Sequence, residues 1–193
     1  MARFTTLDRI RQFGPNALIG ASGEFSDFQL LTDVLEEDLC DDRCLDDGRQ
    51  LTGREIYNWL SRVMYNRRMR LDPLWNSLLV AGVHKGDVSL GMVDLYGTSF
   101  EEDFIATGFG HHLGMPILRE RWRPNMPEAE ARQLLEDVMR VLLYRDTRTM
   151  NKIQIGRIAT DGVSISEPFS LSTKWDYKQF IDPKAGAEHA GGW

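Results

Sequence analysis

Cysteine is nearly absent from this 193-residue chain, which has only Cys40 and Cys44. They stand one helical turn apart in a segment of helical pattern, which is no disulfide framework, so a reducing compartment, cytoplasm or nucleus, is expected. Two thiols do not complete a metal site, and small buried side chains are the expectation for both. Long apolar runs are missing as well. No stretch reaches the roughly 18 apolar residues of a membrane span. Met1 to Gly14 mixes Arg, Asp and Thr among its apolar positions, unlike a signal peptide. Positive charge is in deficit: 23 Lys and Arg stand against 29 Asp and Glu, a net charge of −6, with an isoelectric point near 5.3. Phosphate recognition rests on clustered Lys and Arg, so neither nucleic acid nor membrane is an expected partner.

With 42% hydrophobic and 27% charged residues, the chain can bury one sizeable core. The pattern predicts one domain over residues 1–182 and a polar, Gly- and Ala-rich extension over 183–193. Leu7 to Phe13 and Ala17 to Ser22 read as strands around the turn Gly14-Pro15-Asn16. Phe28, Leu31, Leu35 and Leu39 then repeat at helical spacing, up to the polar stretch Asp41 to Gly48. Thr52 opens a capping box with Glu55, ahead of a helix whose apolar face is Ile56, Trp59, Leu60, Val63 and Met64. The theme repeats. Leu78 to Val83 and Val88 to Leu95 are strands apolar enough for burial on both faces, around the hairpin turn His84 to Asp87. A second helix pair follows, its long member opening near Pro127 with Ala131, Leu134, Leu135, Val138, Val141 and Leu142 on one face. Ile153 to Thr160 and Val163 to Ser166 flank Asp161-Gly162 as a last hairpin, with Gly156 at an expected bulge. Hairpin, two helices, hairpin, two helices, hairpin predicts an α+β fold, a four-layer αββα sandwich.

Candidate chemistry yields little. Gly108-Phe109-Gly110 with Gly114 lacks the spacing and the distal acid of a dinucleotide loop, so close backbone packing at a helix start is expected. Ala21-Ser22-Gly23 is not a nucleophile elbow. The neighbours His111 and His112 project about 100° apart on a helix, with no third ligand nearby. The acidic run from Glu36 to Asp47 is no calcium loop, because taking Gly48 as the loop glycine puts Arg43 and Leu45 at ligand positions. It reads as a solvated face or an interface rim. Neither metal nor cofactor is expected. Arg67, Arg68 and Arg70 gather positive charge at a helix C-terminus, where they offset the dipole and are candidates for a subunit contact.

Several strings together resemble the proteasome beta family: Gly20-Ala21-Ser22-Gly23 with Asp27, Asp72-Pro73-Leu74-Trp75-Asn76, Ala106-Thr107-Gly108-Phe109-Gly110, and Tyr144-Arg145-Asp146. Trp59-Leu60-Ser61-Arg62, Arg140-Val141-Leu142 and Asn151-Lys152-Ile153-Gln154-Ile155 bring the likeness nearest to its non-catalytic members at the seventh beta position. The resemblance implies the αββα fold of N-terminal-nucleophile hydrolases. Active members use an N-terminal threonine whose own amine helps move the proton, with a lysine tuning the site. Here the resemblance places Met1 at the approach to the third strand, so the two N-terminal strands are expected to be lacking. Arg9 stands at the lysine position, and arginine stays protonated at neutral pH. Asp146 and Thr149 match positions that support the threonine and are expected to be remnants, Asp146 bracing its helix end. Cleavage before Thr5 or Thr6 does not rescue activity, since Phe4 and not glycine precedes Thr5 and the counted aspartate and lysine positions fall on Ala21 and Glu37.

The implied role is therefore a structural, non-enzymatic subunit of the proteasome core in cytoplasm and nucleus. Its implied partners are other beta subunits of its own and the opposite ring, and alpha-ring subunits. An autonomous threonine hydrolase with an upstream nucleophile is the alternative. Ile181 to Trp193 are expected to form an arm that reaches the opposite ring, anchored by Trp193 and rooted by Trp175 and Phe180.

Overall fold

In the computed structural model, described for residues 6–45, 48, 50–177 and 181, seven strands and five helices alternate. In chain order they are β1 (Ile10–Phe13), β2 (Ala17–Gly23), α1 (Phe25–Cys44), α2 (Gly53–Met69), β3 (Asn76–His84), β4 (Asp87–Val93), β5 (Ser99–Glu101), α3 (Phe109–Leu113), α4 (Met115–Arg121), α5 (Glu128–Arg145), β6 (Gly156–Ala159) and β7 (Gly162–Ile165). Strands β1 to β5 form one antiparallel sheet in sequence order, and β6 pairs with β7 in a second.

The first sheet turns one face to α1 and α2. Ile19, Ala21, Leu78, Val80 and Val93 are buried there with Phe28, Leu31 and Leu35 of α1 and Ile56, Leu60 and Met64 of α2. Trp59 is only half-buried at the margin of this cluster. The capping box is present: the Glu55 N–H donates to Thr52 Oγ1 at 3.3 Å, and the Thr52 N–H to Glu55 Oε2 at 2.8 Å. It aims the start of α2 at the sheet so closely that a Cβ on Gly53 would lie 2.6 Å from the Gly82 Cα. Helix and strand meet backbone to backbone.

The opposite face of the sheet presents Ile10 and Leu18 to β6. A Cβ on Gly156 would meet Leu18 Cδ1 at 3.1 Å and Ile10 Cγ2 at 3.3 Å. A separate cluster of Leu118, Leu134, Val138 and Leu142 joins α4 to α5. In the glycine-rich segment before it the expected close packing is found at Gly114 alone: a Cβ there would stand 2.8 Å from Val138 Cγ1, whereas one on Gly108 would meet nothing within 4 Å. After β7 the chain runs back over α5. Asn151 brackets Leu171, donating to its carbonyl at 2.9 Å and accepting its N–H at 2.7 Å. Arg140 donates to the Ser172 carbonyl, and the Trp175 ring meets Tyr144 edge-on at 4.9 Å.

Several expectations are corrected. The last hairpin turns at Thr160-Asp161, one residue early, because Gly162 pairs with Ala159 while Arg157 holds the Asp161 carboxylate at 3.0 Å. Gly156 pairs regularly with Ile165, so it marks the approach of the two sheets and not a bulge. Ile153 lies outside β6, in an isolated bridge to Phe169. Strand β5 was not anticipated. The second helix pair is split into α3, α4 and α5. Cys40 and Cys44 are exposed, since burial along α1 stops at Leu35 with Leu39 half-buried. Val88, expected inside, is 68% exposed at the outer end of β4.

Candidate functional site

Two of the strings that carry the sequence resemblance turn out to be partners of each other. Gly23 closes β2 at φ 101°, and a Cβ there would fall 2.0 Å from the Trp75 carbonyl oxygen, a position only glycine fills. The Glu24 N–H donates to that oxygen at 2.9 Å, and the Trp75 N–H donates to Asp27 Oδ2 at 2.9 Å. Asn76, 2% exposed, sends its amide nitrogen to the carbonyls of Ser22 at 3.1 Å and Glu24 at 2.8 Å. The end of β2, the first turn of α1 and the start of β3 are thus one hydrogen-bonded knot.

Arg9 belongs to this knot. Its guanidinium donates to the Gly23 carbonyl at 3.1 Å and to that of Ala21 at 3.5 Å, and it lies 5.7 Å from the centre of the Phe25 ring. Its own carbonyl accepts the Ala21 N–H at 2.9 Å. Asp146 and Thr149 sit elsewhere, at the end of α5. Asp146 Oδ1 accepts the Arg148 N–H at 2.9 Å, and Oδ2 accepts the Thr149 hydroxyl at 2.8 Å. The Arg148 backbone N–H first, and then the Thr149 hydroxyl, hold the Asp146 carboxyl below the usual carboxylate range. Asp146 thus ties the turn after α5 to the helix end. No hydrogen bond or ion pair among the described residues joins Arg9 to Asp146 or Thr149. A cleft of about 1470 Å³, lined by apolar and charged side chains, separates the β1 lead from α5, with Leu7, Arg9, Ile10 and Leu79 across from Leu135, Glu136 and Met139.

The three arginines at the end of α2 do not act alike. Arg67 pairs with Asp72 at 3.0 Å, Arg68 lies over the Tyr65 ring at 5.7 Å, and Arg70 is exposed as the helix cap. Trp193 and Phe180 lie outside the described residues, while Trp175 is held on Tyr144. His111 and His112 are exposed, and among the described residues no group of three or more His, Cys, Asp or Glu could hold a metal ion.

The sequence family described as "Proteasome subunit" matches residues 2–158. This chain belongs to the proteasome subunit family. Relatives within the family resemble it along nearly its whole length. It is 48% identical over 191 residues to proteasome subunit beta type-4 of Arabidopsis thaliana, covering 99% of this chain and 77% of that one. Proteasome subunit beta type-4 of Dictyostelium discoideum is 47% identical over 175 residues, 90% of this chain and 68% of its own. Proteasome subunit beta type-7 of Saccharomyces cerevisiae is 34% identical over 193 residues, 94% and 73% of the two chains. Membership in the proteasome subunit family accounts for both sheets being antiparallel in a mixed helix and sheet fold.

Proposed function

We propose that the chain is a non-catalytic beta-type subunit of the proteasome core, a wall element of the chamber in which neighbouring subunits cut unfolded proteins. The observation that carries this reading is Arg9. By the resemblance it occupies the place of the lysine that tunes the site in active members, and its guanidinium is committed to the carbonyls of Gly23 and Ala21. The family's chemistry has been replaced there by a structural tie. An active-site-directed threonine-protease probe, applied to the whole particle, is expected to label neighbouring subunits and leave this chain unlabelled. Covalent labelling of this chain overturns the reading.

The finer architecture follows from the cleft. A two-stranded sheet is a marginal structure by itself, and β6 and β7 stand beside a cleft whose lining includes the apolar side chains of Leu7, Ile10, Leu79 and Met139. Two further strands in that space would complete a second sheet and the four-layer αββα order. Partners are beta subunits of the same and the opposite ring and alpha-ring subunits, in cytoplasm and nucleus. Arg67, Arg68 and Arg70 belong to a contact with one of them. Residues 181–193 serve as the arm towards the opposite ring with Trp193 as anchor, a reading supported by the docking of Trp175 on Tyr144 at the arm's root. Deleting residues 186–193 is expected to accumulate half-particles on native gels while entry into its own ring is unchanged; normal yields of full particles would remove the arm from the account.

A further inference from the structure

Helix α2 ends in a complete Schellman arrangement. The Leu71 N–H donates to the Arg68 carbonyl at 3.0 Å and the Asp72 N–H to the Arg67 carbonyl at 3.1 Å. The residue that closes this arrangement adopts a left-handed conformation and is usually glycine, because a side chain makes that conformation costly. Here it is Leu71, at φ 58°. Burial does not offset the cost, since Leu71 is 92% exposed. The fold therefore holds an apolar side chain out in solvent on a strained backbone, and such outliers point to function.

The display is rigid. An apolar contact normally ties the residue after the left-handed one back to the helix; here the Arg67–Asp72 ion pair at 3.0 Å takes that part. Pro73 follows directly, and Trp75 and Asn76 are locked into the knot at the end of β2. Two more large apolar side chains on the same connection are open, Met69 at 60% and Trp75 at 65%. Trp75 lies by the Asp27 carboxylate, but the charge beside Met69 and Leu71 is positive. Asp72 answers Arg67, whereas among the described residues Arg68 has the Tyr65 ring and the Met69 sulfur as partners and no ion pair, and Arg70 is exposed.

We propose that Leu71 is a preformed anchor, displayed directly after Arg70 at the end of the helix that carries Arg68, that enters an apolar pocket rimmed by carboxylates on a neighbouring proteasome subunit. A fixed apolar knob with a cationic rim has little conformational entropy to lose on docking, and its side chain gains on burial what the free chain forgoes. This proposal rests on the chain being a proteasome subunit.

Tagged full-length chains carrying Leu71→Gly, Leu71→Asn or Leu71→Met, each co-expressed with untagged wild type, provide the test. The readout is the tagged-to-untagged ratio in purified particles. The folding preference of the position ranks Gly and Asn at or above Leu and Met, whereas the docking preference ranks Leu and Met above both. The expected result is the docking order, with Leu71→Gly and Leu71→Asn depleted roughly tenfold or more and Leu71→Met near the wild-type ratio. Arg68→Glu with Arg70→Glu is expected to be depleted too. Entry of Leu71→Gly at the wild-type ratio overturns the anchor, as does a homodimer of this chain that Leu71→Gly abolishes, since the occupant is then a second copy. Failure of the tagged wild type to enter any particle overturns instead the subunit reading on which the anchor rests.

Discussion

A valine at position 82 is expected to abolish stable folding of this chain. Gly82 lies within β3, paired with Ala17 on one side and Ser89 on the other, so it cannot shift without carrying two neighbouring strands. A Cβ added there would sit 2.8 Å from the Gly53 Cα and 3.0 Å from Ser89 Oγ. The serine hydroxyl can turn away, but the Gly53 backbone is the first residue of α2, fixed by the Thr52 capping box. Relief requires lifting the helix from the sheet, and the cluster of Ile56, Leu60 and Met64 would lift with it. Overpacking of a close-packed core costs roughly 1–3 kcal/mol even for one added methylene, and a branched side chain against immovable backbone belongs above that range. Gly82→Val should therefore leave the chain insoluble or missing from particles. Gly20→Ala is the control: it lies on the neighbouring strand β2, yet its nearest obstacle is the Arg9 carbonyl at 4.0 Å. Near-normal incorporation of Gly20→Ala beside loss of Gly82→Val is the expected outcome, and normal incorporation of both would mean that α2 does not lie on β3 as described.

That contact also marks the limit of what the sequence makes legible. The capping box is written in four consecutive residues, and the period of Ile56, Leu60 and Met64 names the face that must be buried; both were readable because a helix records its environment locally. The hairpin at Lys85-Gly86, with φ of 51° and 87°, was readable for the same reason. Nothing near Gly53 announces Gly82. A residue with no side chain leaves no periodicity, so close approaches of backbone are silent until the fold is known. Strand β5 was silent for another reason: Ser99, Phe100 and Glu101 are all exposed, and an edge strand that buries nothing shows no alternation. The thiols were misplaced because helical spacing continues past the point where α1 leaves the core. At the candidate site, Arg9 and Asp146 were found by resemblance, yet their present partners, the carbonyls of β2 and the Thr149 hydroxyl, are facts of tertiary structure. The ending of α2 could have been noticed, since Arg70-Leu71-Asp72-Pro73 stops a helix with a proline but supplies no glycine.

The substitution Asn76→Asp changes one atom and is expected to be nearly as damaging as Gly82→Val. Asn76 serves as a donor: its Nδ2 holds the Ser22 and Glu24 carbonyls, while its buried Oδ1 has no hydrogen-bond partner among the described residues. An ionised aspartate would set an oxygen against two carbonyl oxygens at distances of 3.1 and 2.8 Å, in a position 2% exposed. Two hydrogen bonds would become two repulsive contacts around an uncompensated buried charge, a class of change that costs roughly 3–5 kcal/mol. The knot that joins β2, α1 and β3 should open, and Arg9 with it, since its guanidinium hangs on the neighbouring Gly23 carbonyl. Acid distinguishes this cause from simple loss of packing. Burial beside two carbonyls raises the folded-state pKa of the new carboxyl above its unfolded value, so the folded chain takes up a proton more readily and the stability deficit shrinks as pH falls through that raised pKa. The protonated acid also regains one donor. Asn76→Ala removes the bonds without adding charge, and its deficit should be smaller at neutral pH and should not shrink with acid in this way. Parallel melting curves of particles carrying each variant, at neutral and mildly acidic pH, measure the difference. Equal, pH-independent deficits for Asp and Ala would show that the two carbonyls do not bear on residue 76, and that the knot is held by the Asp27 carboxylate and the Gly23 contact alone.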